Sequence, residues 1–168
     1  MATDEASHQD APSRFHLKVD YDTDFYAWTQ TQADALRAKN WAVLDLEHLA
    51  EEIESLGKSD RRAIVSHLER LLLHLLKWGH DPAREPRRGW QLTIRHARRE
   101  IAQLLADNRS LHSYPTERLA YAYRHARGDA AVDTGLPLAT FPEVCPWPVE
   151  QVLAEDFWPE MAGDGAKC

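Results

Sequence analysis

Apolar residues in this chain recur every three or four positions and nowhere alternate two by two, which fixes the fold class before any other property is weighed. The densest case is Ile64, Leu68, Leu71, Leu72, Leu75 and Trp78, widened by Leu76, which lays a broad apolar face along one helix. Four other stretches keep the same period. They are Phe25, Trp28, Gln32 and Leu36; then Leu46, Leu49, Ala50, Ile53 and Leu56; then Trp90, Ile94, Ala97, Ile101, Leu104 and Leu105; and finally Leu119, Tyr123, Ala126 and Ala130. No stretch reads as a strand and no internal repeat is present. The pattern predicts an all-α protein, a helical bundle of five to six helices.

Helix-ending residues set the expected boundaries. Asp22 or Thr23 caps a first helix that ends by about Asn40. Gly57 stands where a left-handed cap would close the second helix, so that Ser59 would cap the third. Asp81-Pro82 and Glu85-Pro86 stop the third, because the residue before a proline is pushed out of helical geometry. The fourth is expected from about Trp90 to Asn108, with Ser110 marking its end. The fifth begins near Ser113, carries Glu117 in its first turn, has a weak point at Gly128 and closes at Gly135. Residues 135–148 contain Pro137, Pro142, Pro146 and Pro148 and so predict an extended strap near the C-terminus, pinned by Phe141 and Trp147. A short last helix over 149–156 follows, with Pro148 in its first turn. A length of 168 residues suits a single domain, placed at 21–160, between a mobile polar arm at 1–20 and a flexible tail at 161–168.

Charge and cysteine usage narrow the setting. A net charge of −7 opposes non-specific adhesion to nucleic acid or anionic lipid, both polyanions. The longest apolar cluster, Leu71 to Leu76, is broken by His74 and is too short for a bilayer. Met1 to Asp20 lack the basic start and apolar run of a secretory peptide, so the expected location is cytoplasmic. Cys145 and Cys168 lack the spacing of a zinc or redox site and are read as reduced thiols.

Several blocks, in order, resemble the bacterial domain-of-unknown-function 29 family. They are Tyr21-Asp22-Thr23-Asp24-Phe25-Tyr26-Ala27-Trp28, Leu49-Ala50-Glu51-Glu52-Ile53-Glu54-Ser55-Leu56-Gly57, His74-Leu75-Leu76-Lys77-Trp78, Thr134-Gly135-Leu136, and Phe141-Pro142-Glu143-Val144-Cys145-Pro146-Trp147. The resemblance runs from about Tyr21 to Glu160. It implies an all-helical bundle in a bacterial protein, and it brings no catalytic residue with it. His48 and Trp147 depart from the family's usual residues.

Three groups of residues could carry chemistry. Glu47, Glu51 and Glu54 are spaced i, i+4, i+7, and His48 with Glu52 i, i+4, which puts ligand-type side chains on common helix faces. If the second and third helices pair antiparallel through a short Gly57–Ser59 link, Glu51 and Glu52 would meet His67 and His74. A divalent metal at Glu51, Glu52, His67 and His74 is thus one alternative. The reading preferred is a solvated acidic face with His74 in a structural hydrogen bond and no cofactor or metal. Arg84, Arg87, Arg88, Arg95, Arg98 and Arg99 face only Glu85, leaving +5 over residues 84–99, a patch that could track phosphates. Residues 41–57 hold five acids and no base, so pairing within the chain or between subunits is preferred over nucleic acid. Of the six tryptophans, Trp28, Trp78, Trp90 and Trp147 are read first as core and second as the lining of a ligand pocket. No G-x-S-x-G elbow or glycine-rich phosphate loop is present, and Cys145 sits between prolines with nothing behind it to lower its pKa.

The sequence reading is therefore a protein-interaction or regulatory module, without membrane or nucleic-acid partner, that meets a protein partner or a second copy. Its expected interaction residues are Arg95, Arg98, Arg99, Glu47 and Glu54. A metal-dependent enzyme using the Glu/His cluster and a nucleic-acid module using Arg84 to Arg99 are the alternatives.

Overall fold

Several helix ends fall where a side chain or a left-handed residue satisfies the backbone groups that the helix leaves over. The computed structural model describes residues 19–81 and 88–160 in full and Arg87 by its backbone alone. The proposed N-terminal arm up to Lys18, the tail at 161–168 with Cys168, the Pro82 and Pro86 stops and Arg84 lie outside the described residues. Among the described residues there are five α-helices and no strand, as the periodicity predicts.

Helix α1, Phe25–Arg37, starts on Asp24, whose carboxylate accepts the N–H of Ala27. At its far end Lys39 takes the left-handed conformation, φ 56°, so that its own N–H reaches Leu36 O and that of Asn40 reaches Ala35 O. This is the Schellman arrangement with lysine where glycine is usual. A 3₁₀ turn at Trp41–Val43 leads to α2, Leu46–His80.

Helix α2 corrects the sequence reading. It is one helix of 35 residues that runs through Gly57 and Ser59, where a stop and a restart were expected. A mid-helix glycine costs only about 1 kcal/mol against alanine, which its helix-forming neighbours outweigh. Nothing lies within 4 Å of a Cβ built on Gly57, so no close approach requires it.

The remaining α-helices are α3 (Arg87–Asp107), α4 (Tyr114–Thr134) and α5 (Val149–Leu153), with 3₁₀ turns at Arg109–Leu111 and, within the strap, at Leu138–Thr140. Helix α4 carries Pro115 in its first turn and closes on Gly135 at φ 68°, where the sequence places its end. It runs unbroken through Gly128. Helix α5 is shorter than expected, and Pro148 is its cap rather than part of its first turn.

The chain gathers into two compact units, one ending at Glu54 and one starting at Ser55. The C-terminal unit holds the core. Leu68, Leu71, Leu72, Leu75 and Leu76 of α2 pack with Ile94, Ala97 and Ile101 of α3, with Ala122, Tyr123, Ala126 and Ala130 of α4, and with Phe141 and Val152. The alanines of α4 let the other helices approach closely. The strap is tied by donors on α4: Tyr123 Oη donates to Pro142 O at 2.8 Å, and Arg127 Nε to Phe141 O at 3.1 Å. No helix among the described residues is long and apolar enough to cross a membrane.

Candidate functional site

In the N-terminal unit a small polar and aromatic cluster is built around the first residue before α2. Asp45 is its N-terminal cap: one carboxylate oxygen accepts the His48 N–H at 3.3 Å and the other accepts His48 Nδ1–H at 2.7 Å. The Asp45 N–H in turn donates to Gln32 Oε1 at 2.8 Å, which ties α2 to a buried residue of α1. The His48 ring stacks on Tyr21, centroids 4.1 Å apart and 17° from parallel, with Trp28 edge-on at 6.3 Å. Tyr21 Oη donates to Glu52. That hydrogen bond pushes the phenol up to about 12, while the Asp45 hydrogen bond raises His48 above its ordinary value and His48 holds Asp45 below its own. Trp28 is buried beneath; its Nε1 has no partner in hydrogen-bonding geometry, though it lies near enough to Asp45 to help keep the carboxylate ionised.

The cluster joins Tyr21, Asp45, His48 and Glu52 to one another, while most of the large apolar side chains described in the unit stay outside. Phe25, Tyr26, Leu36, Trp41, Val43, Leu46 and Ile53 are exposed, and Trp28 is the one large apolar side chain fully buried there among the described residues. On α2, Leu46 is 69% exposed, Ile53 68% and Leu56 69%, and their spacing puts them on one stripe. The sequence reading expected that stripe to be covered and the acids opposite to be wet; both are wet, with Glu47, Glu51 and Glu54 exposed as well.

The turn on which the expected Glu/His seam rests is absent. With no turn at Gly57, α2 does not fold back, so Glu51 and Glu52 belong to the N-terminal unit and His67 and His74 to the C-terminal one. Glu52 is engaged by Tyr21, and His74 Nδ1 donates to Arg70 O of its own helix at 2.9 Å rather than to a carboxylate. His67 stands edge-on to His96 at 6.4 Å, and burial lowers the pKa of His67 and of His74. Among the described residues no three His, Cys, Asp or Glu side chains are grouped to hold a metal ion.

The arginine patch also divides. Arg95 and Arg99 are exposed, Arg99 donating to His96 Nδ1 at 2.8 Å. Arg98 is 3% exposed and donates to three carbonyls, Val152 O at 2.9 Å, Glu155 O at 3.2 Å and Phe157 O at 2.8 Å. These backbone acceptors take up the guanidinium, which in turn fastens residues 152–157. Lys77, also largely buried, pairs with Asp133 and lies 4.8 Å from the Trp90 ring centroid. Cys145 is a free thiol whose pKa is raised by burial, which disfavours the nucleophilic thiolate.

Sequence reasoning missed the Asp45–His48–Tyr21 set. The signal was present: an aspartate just before the first periodic residue of a helix is a capping signature, and His48 sits three residues on. Compared with known proteins, residues 21–158 match the family described as Domain of unknown function DUF29. No curated protein and no solved structure matches the chain.

Proposed function

We propose, from the premise that this chain belongs to the DUF29 family, that it is a protein-interaction module of the bacterial cytoplasm whose N-terminal unit is the docking surface. The observation that carries the reading is the exposure of that unit's apolar groups: among the described residues seven large apolar side chains are exposed and one is fully buried. Exposed apolar area on this scale, when grouped rather than scattered, is the usual mark of a surface that is covered in use. The partner's chemistry follows from the flanking charge. Asp45, Glu47, Glu51, Glu52 and Glu54 share this stretch of chain with the stripe, and residues 41–57 hold no lysine or arginine, so the complement is an apolar anchor flanked by lysine or arginine. A second copy presenting the same stripe would set acid against acid. Cys145, a free thiol, is in keeping with a reducing compartment.

The test is site-specific photocrosslinking in the protein's own cell, with the probe at Ile53 or, as control, at Val132, which is 85% exposed on the C-terminal unit. A discrete crosslinked protein at position 53 and none at 132 is the expected result. Equal labelling at both positions would end the proposal.

A further inference from the structure

The C-terminal unit contains a cleft that nothing above employs. Its volume is about 420 Å³, in the range of small-molecule sites, and its lining includes Gly79 and His80 at the end of α2, Trp147, Phe157, Trp158 and Glu160. The rings are held by packing: Trp147 meets Phe157 edge-on at 5.8 Å, and Trp158 lies 4.8 Å from Trp78. The backbone that carries Phe157 is fixed by the Arg98 hydrogen bond to its carbonyl.

Charge and hydrogen-bonding capacity select the ligand. Among the described residues of the lining Glu160 is the one acidic residue and there is no lysine or arginine, while burial holds His80 below its ordinary value and so disfavours its charged form. Arg98 lies 5.6 Å from the Trp158 centroid, and the charges of Asp156 and Glu155 offset that guanidinium. Aromatic faces attract cations through their quadrupole but accept few strong hydrogen bonds. A primary ammonium entering here would leave three N–H donors poorly served, whereas a fully methylated one has none to satisfy.

We propose that this cleft binds a methylated ammonium group, either free as a small quaternary ammonium compound or on a trimethylated lysine side chain. The head lies against Trp147, Phe157 and Trp158, and Glu160 supplies the counter-charge. The cleft belongs to the C-terminal unit alone and does not depend on the docking surface of the N-terminal one.

The experiment is calorimetric titration of the full chain, with tryptophan indole shifts followed by NMR. Three probes are used: choline, a peptide carrying one trimethyl-lysine, and the neutral isostere of choline in which tert-butyl replaces trimethylammonium. Saturable binding of a cationic probe, with the isostere weaker by about fivefold or more, is the expected result. Glu160→Gln should weaken the cation by about two- to fivefold and leave the isostere and the melting temperature unchanged. Trp147→Leu should weaken the cation and spare the fold, since the side chain is only half-buried. Tighter binding of the peptide assigns the lysine source, tighter binding of choline the free compound, and equal affinities the head group alone. Isostere binding as tight as choline, or no saturation by either cation, overturns the proposal.

Discussion

The two units solve the same amphipathic pattern in opposite ways. In the C-terminal unit the α2 stripe of Leu68, Leu71, Leu72, Leu75 and Leu76 is sealed by α3, α4, the strap and α5. In the N-terminal unit the stripe begun by Leu46 and Ile53 has the same period and the same residue types on the same helix, and it is open. The polar groups show the reverse. Arg98 and Lys77 are drawn into the C-terminal unit and fastened there, while Tyr21, His48 and Asp45 are joined to one another at the N-terminal surface. The contrast teaches that an apolar stripe announces a helix but not its neighbour, and that one helix can be sealed in a core at one end and exposed at the other.

Core truncation gives the largest expected separation between the units. Leu75→Ala should destabilise the chain by about 2–5 kcal/mol in denaturant unfolding, because the cavity it leaves cannot collapse fully. Ile53→Ala should cost less than about 0.5 kcal/mol in the same assay. Comparable losses at both positions would mean that the stripe is covered in the isolated chain and would remove the basis for docking there.

Arg98 is the next lever. Lysine keeps its charge but cannot reach three carbonyls with a planar fork, so Arg98→Lys should cost about 2–3 kcal/mol. It should also speed proteolysis near Val152 to Phe157 while leaving the N-terminal unit's cleavage pattern intact. Unchanged proteolysis would show that those carbonyls do not depend on the guanidinium.

Acid should separate the units by sign. His48 is held above its ordinary value of 6.5 by the Asp45 hydrogen bond, so its stabilisation is complete below 6.5 and is lost as pH rises through the raised value. His67, His74 and His80 are held below 6.5 by burial, so their unit keeps full stability above 6.5 and loses it as pH falls through the lowered values. Amide exchange compared at about pH 7.5 and 5.5 should therefore show protection falling around the C-terminal histidines and not around His48. A parallel decline in both units would contradict the assigned causes.

The smallest effects concern two backbone positions. Gly57→Ala should stabilise by about 0.5–1 kcal/mol if α2 is continuous, and destabilise if Gly57 were a left-handed cap. Lys39→Gly should stabilise α1 by about 1 kcal/mol or less, since Lys39 is the residue that holds φ 56°. Melting curves of the two variants would decide each sign.

Much of the fold was legible because helices carry their own signals. The period of Ile94, Ala97 and Ile101, the left-handed close at Gly135 and the strap anchored by Phe141 all follow from local chemistry, and the structure has them. Gly57 misled because a glycine is a cap only when the chain turns there, and the alternative costs merely about 1 kcal/mol. The expected Glu/His seam depended on that turn and went with it. Arg98 read as a member of a basic patch, since nothing in its own helix records that three carbonyls some 54 to 59 residues later will lie within reach.

What the sequence determined by itself is the class of structure, the greater part of the helix boundaries and the acidic character of residues 41–57. Tertiary structure alone decided which stripes are sealed, which arginine is buried, and that His48 would find Asp45 and Tyr21 while His74 would find the backbone of its own helix. Periodicity and capping are set within a few residues of chain. Burial and hydrogen-bond partnership are set by whatever lies opposite, and that is fixed only when distant segments are brought together.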